Sequence, residues 1–109
     1  MKQFDDLIHA YVASGLDSAT VKAWYIENSP SGATLSALAE SIGIAFLAGR
    51  INFNAANGLL NQVMPLVGFE SAPPRFWQYY TALEEFETSN DPDTHAKPAV
   101  SALTRAGAA

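Results

Sequence analysis

Few side chains in these 109 residues stand at spacings that could do chemistry. His9 follows Asp5 by one helical turn, so an imidazole and a carboxylate can share a metal ion. Metal centres take three or four such ligands, however, and no Glu-x-x-His pair is present to complete a carboxylate-bridged site. Glu84, Glu85 and Glu87 offer oxygens to a hard cation, but such sites usually draw on a shaped loop as well. Glu40 is a lone acid in a neutral stretch, flanked by Ser36 and Ser41, and its choices are solvent or an ion pair with Arg50. The second histidine, His95, lies in a polar C-terminal stretch. The absence of cysteine removes disulfides, thiolate metal sites and thiol nucleophiles together, and fits a reducing compartment. No nucleophile stands paired with a catalytic base, no glycine loop is built to cradle phosphate, and no carboxylate pair sits in apolar surroundings. The expectation is no catalytic residue, no cofactor and no metal.

Charge narrows the partners. Six Lys and Arg stand against eleven Asp and Glu, a net charge of -5, which repels phosphate backbones and anionic membranes alike. Five of the eleven acids, Glu84, Glu85, Glu87, Asp91 and Asp93, cluster where the folded part is expected to end. The N-terminus, Met1-Lys2-Gln3-Phe4-Asp5-Asp6, has acids where an export signal needs an apolar run. The longest apolar run, Ile42 to Gly49, is far short of the about 20 residues that span a bilayer. A cytoplasmic, bacterial-type protein with no membrane partner is the expectation.

The elements that must hold these residues are helical. A chain of this length makes one domain that buries roughly two thirds of its unfolded surface. Phe4, Leu7, Ile8, Tyr11 and Val12 follow the spacing of one helix face over Phe4 to Ser14. Gly15 closes that helix, and Asp17 or Ser18 caps a second one running to Asn28, whose Val21, Trp24, Tyr25 and Ile26 span an arc wide enough for two neighbours. After the loop Asn28 to Gly32, Thr34 is the expected cap of a third helix. That helix is apolar on nearly every side, with Gly43 in its middle at a cost of up to about 1 kcal/mol. Gly49 to Asn52 form another tight turn into a fourth helix, which Pro65 should end or kink near Met64. Pro74 opens a fifth helix to about Glu87, with Phe76, Tyr79, Tyr80, Leu83 and Phe86 on one face. The fold class is all-α: a compact bundle of about five helices over residues 1–88 and a polar, flexible tail over 89–109, with room for a short helix from Ala99 to Arg105.

Between Asn28 and Phe69 only Glu40 and Arg50 are charged, so the third and fourth helices must be covered, by one another, by the remaining helices or by a second chain. Leu38-Ala39-Glu40 followed by Gly43-Ile44 resembles the first helix and turn of a helix-turn-helix DNA reader over about twenty residues. The resemblance implies a recognition helix at Ala45 to Arg50. That segment has one base, and a glycine where the family keeps a branched apolar residue. A DNA-binding regulator using residues 34–52 is therefore an alternative. A small-molecule binder or enzyme, with an aromatic pocket between the second and last helices, is another.

The leading expectation is a non-enzymatic interaction protein acting through a charge-poor helical surface, with itself as a homodimer or with another protein. Aromatic residues and neutral amides are common, and charges scarce, at interface centres. The candidate contacts are Asn54, Asn57 and Asn61, a neutral stripe at i, i+3 and i+7; Trp77, about 100° round its helix from Phe76; and Ile44 and Leu47 on the third helix.

Overall fold

The computed structural model describes the backbone of residues 2–108 and the side-chain surroundings of residues 4–106. Helix α1 (Lys2–Ala13) buries Phe4, Leu7, Ile8 and Tyr11, the face its spacing sets out, and leaves Val12 exposed. Gly15 and Leu16 then both take positive φ, at 76° and 65°, which turns the chain sharply. Asp17 caps α2 (Ser18–Asn28) by accepting the Ala19 N–H at 3.0 Å. As its wide apolar arc requires, α2 packs on two helices, α1 and α4 (Phe53–Val67), although Ile26 at its outer edge stays in solvent.

Two expected helix ends are corrected. Ser31, not Thr34, caps α3 (Gly32–Leu47): its hydroxyl accepts the Thr34 N–H at 3.2 Å, and Thr34 sits in the first turn. Pro65 does not end α4, which runs on to Val67 and stops at Gly68, at φ 90°. Proline costs the helix one N–H, but Val63 and Met64 are fully buried just before it and Leu66 and Val67 pack against the core after it, which holds the last turn down.

Pro74 starts α5 (Pro74–Glu84), whose Phe76, Tyr79 and Leu83 are fully buried; turns carry the chain from Glu85 to Thr88. The five expected helices are thus present in an all-α bundle. A one-turn helix α6 (Pro92–His95) and a sixth full-length helix α7 (Lys97–Ala108) follow in the polar stretch after Thr88.

Helix α3 is the centre, with α1, α4, α5 and α7 packed round it. Its Leu38, Ile42 and Phe46 are fully buried in one core with Tyr11, Leu60 and Phe76, each such side chain contributing about 1.5–3 kcal/mol through removal from water. Ala96 and Val100 are fully buried too, so the C-terminal stretch supplies part of the cover that the apolar middle demands. Gly43 is where this cover comes closest. A Cβ there would lie 2.6 Å from Cε1 of Tyr79 and 3.3 Å from Cγ1 of Val100, so side chains of α5 and α7, not another backbone, fill the glycine's space.

The N-terminus of α4 is held from both sides of the sequence. Asn52 accepts the Ala55 N–H at 2.9 Å, and Asp93, forty residues on, accepts the Phe53 N–H at 2.7 Å. A carboxylate on unpaired first-turn N–H groups is favoured by hydrogen bonding and by the helix dipole together. Among the described residues, no helix is long and apolar enough to cross a membrane.

Candidate interaction surface

Three rings from two segments meet at the surface where α4 turns into α5. Gly68 at positive φ swings the chain out of α4, and the turn closed by the Ser71 N–H on the Gly68 carbonyl, at 3.0 Å, presents Phe69. Trp77 and Tyr80, three residues apart on α5, stack at 5.7 Å between centroids with 29° between planes. Phe69 meets both edge-on, at 5.9 Å from Trp77 and 6.0 Å from Tyr80. Such contacts are worth about 0.5–1.5 kcal/mol each beyond area burial, so the rings hold one another in place. Two of them remain open to solvent nonetheless, Phe69 58% exposed and Trp77 41%, while Tyr80 is half-buried against the core.

Of the residues the sequence singles out, only Trp77 is in this trio. Ile44 is 42% exposed on the outward side of α3, and Leu47 is half-buried against the core. The asparagine stripe divides. Asn54 is exposed, Asn61 is half-buried with Nδ2 donating to the main-chain oxygen of Asn57 at 2.9 Å, and Asn57 is buried, its Oδ1 lacking a hydrogen-bond partner. Phe69 is the residue sequence reasoning missed. A phenylalanine beside a helix-closing glycine reads as a core residue until the turn is seen.

Glu40 keeps part of its side chain in solvent but does not pair with Arg50. It lies 3.7 Å from Arg75 of α5, while Arg50 pairs with Asp5 at 3.5 Å across exposed surface. Arg75 also donates through Nη2 to the Leu103 carbonyl at 2.6 Å and to the Tyr79 hydroxyl at 3.1 Å, and its guanidinium stands 4.8 Å from the centroid of the Tyr79 ring. Thr104 donates its one hydroxyl proton to the Val100 carbonyl at 3.1 Å, which leaves Tyr79 as donor in the 2.9 Å bond between the two hydroxyls. Burial raises the Tyr79 pKa against the opposing pull of the Thr104 bond and the Arg75 charge. The network ties α3, α5 and α7 together, and its polar atoms are occupied in doing so.

Asp5, His9 and Arg50 line a cleft of about 210 Å³ with Ile8, Val12, Ala45 and Ile51. Among the described residues, no group of three His, Cys, Asp or Glu is arranged to hold a metal ion. Ser89 Oγ lies 2.7 Å from His95 Nδ1, a pairing sequence distance concealed, but the same oxygen accepts the Asp91 N–H at 3.2 Å, and the pair closes an exposed turn. Gly43, where the DNA-reader resemblance puts a turn, lies inside uninterrupted α3, because Tyr79 and Val100 pack on it there. Trp24 faces an open cleft between α1 and α2, with Asp6, Leu7 and Glu27 on its walls, and α5 packs instead on α3, α4 and α7. The second and last expected helices therefore do not enclose an aromatic pocket.

The class these features define is a small all-helical domain with an exposed aromatic cluster. Compared with protein-family models, curated proteins and solved structures, the chain matches none of them.

Proposed function

We propose that this chain is a non-enzymatic protein-interaction domain, cytoplasmic and of bacterial type, whose contact surface is centred on Trp77 and Phe69. The observation that carries the reading is the Phe69, Trp77 and Tyr80 cluster: three rings preordered by contacts with one another, with Tyr80 packed against the core and Phe69 and Trp77 left in water. A rigid ring loses little entropy when a partner covers it, which is why aromatic side chains anchor so many interfaces. The lack of cysteine suits a reducing cytosol. Ile44, Leu47 and the exposed Asn54 extend the candidate contact surface elsewhere on the domain, and Asn57 and Asn61 stand behind Asn54 on α4.

The test pairs sedimentation of the chain over a hundredfold range of concentration with capture from host lysate by wild type and by Phe69→Ser/Trp77→Ala. A self-associating chain whose mass falls in the variant, or a captured protein that the variant releases, is the expected result. A monomer whose captured proteins are the same with and without the two rings overturns the reading.

A further inference from the structure

We propose that the Phe69, Trp77 and Tyr80 surface receives an arginine side chain from a basic segment of another protein; this rests on the interaction reading above and names the chemistry of the partner. Two observations converge on it. Phe69 and Trp77 are exposed, and an exposed indole or phenyl face attracts a cation to within about 6 Å of its centroid. The stacked pair, with centroids 5.7 Å apart, has no room between its rings, so the cation must lie flat on an outer face. A planar guanidinium does this better than a lysine ammonium.

The second observation is uncompensated negative charge on the same flank. Glu84 follows Tyr80 by four residues and Trp77 by seven, which puts it beside both, one and two turns along α5. Glu87 follows in the turn after α5, and both carboxylates are near enough to act on the Tyr80 hydroxyl. Glu70 adjoins Phe69 in sequence. None of the three is in an ion pair among the described residues. The nearest arginine in sequence, Arg75, lies about 160° round the helix from Trp77 and is engaged with Glu40, Tyr79 and Leu103.

Charge then selects among occupants. A purely apolar partner would strip water from these carboxylates and return nothing. A second copy would set acid against acid, in a chain of net charge -5. An arginine stacked on the rings can turn its fork to Glu84 or Glu87, and its segment is steered by the field of the whole domain.

The probe is a synthetic peptide of alternating arginine and serine, titrated into the isotope-labelled chain at physiological ionic strength and followed by amide and indole NMR shifts. Its control has citrulline, the neutral isostere, at every arginine. The expected result is saturable shifts centred on residues 69, 77, 80 and 84, about tenfold weaker binding with Trp77→Ala and about threefold with Glu84→Gln/Glu87→Gln, and none with citrulline. Equal binding of the citrulline peptide, shifts centred on other acidic residues, or no binding overturns the proposal, and the peptide pair needs only wild-type protein. Failure here with ring-dependent capture intact removes the arginine and leaves the interaction surface; failure of both removes the two together.

Discussion

Replacing Gly43 by alanine tests how the centre of this domain is built, because two effects of opposite sign meet there. Alanine favours a helix interior over glycine by about 1 kcal/mol, so on propensity alone the variant should be more stable. The new methyl, however, falls 2.6 Å from Cε1 and 3.0 Å from Cδ1 of Tyr79, about 1 Å inside normal carbon contact. The ring cannot simply swing away: it is fully buried, and its hydroxyl is tied to Arg75 and Thr104. Overpacking of this kind costs about 1–3 kcal/mol, and moving the ring loses hydrogen bonds worth about 1 kcal/mol each. The net expectation is destabilisation by about 2 kcal/mol, or a fall in Tm on the order of 10 °C for a domain of this size. Thermal and urea unfolding followed by circular dichroism measure it directly. In a Tyr79→Leu background the obstruction is gone, and the same Gly43→Ala change should become neutral or stabilising. An unchanged or raised Tm for Gly43→Ala in the wild-type background would refute the packing argument.

Other perturbations have smaller or more specific outcomes. Asp93→Ala should cost about 1–2 kcal/mol in urea unfolding, since it uncaps the Phe53 N–H, and Asp93→Asn should cost less because an amide oxygen still accepts. Arg50→Ala should change stability by less than about 1 kcal/mol, because its pair with Asp5 is exposed on both sides. Burial raises the pKa of Tyr11 and Tyr79 above the ordinary value of 10.0, and burial with Glu84 and Glu87 raises that of Tyr80. The native state therefore keeps these protons when the unfolded chain loses them. Stability should be full below pH 10 and fall as pH rises above it, with Tyr79→Phe flattening part of the fall in alkaline unfolding curves.

The helices were readable because their cause is local. The i, i+3, i+4 spacing in α1, the Gly15 turn and Pro74 at the head of α5 each act within a few residues, and each gave its element. What lay hidden depended on residues far apart. Asp93 reads as a solvated acid until α6 brings it to α4, and Arg75 reads as a surface base until Leu103 and Glu40 arrive from two other helices. The apolar surplus of α3 was legible, but not that Val100, in a stretch of small and polar residues, meets it. For the surface, Trp77 could be picked out by its angle on the helix. Phe69 could not, because its exposure follows from the turn geometry after Gly68.

The cover that α7 places on α3 has a consequence in time. A chain is made from its N-terminus, so α3, α4 and α5 are synthesised before residues 97–108 exist. Until then the groove at Gly43 has no Val100, and Tyr79 has no Thr104. The nascent domain thus carries an open apolar seam until α7 has been made, and that helix acts as the closing piece. A message cut short before this segment would release a chain whose centre faces water, the kind of surface that aggregates and that chaperones hold.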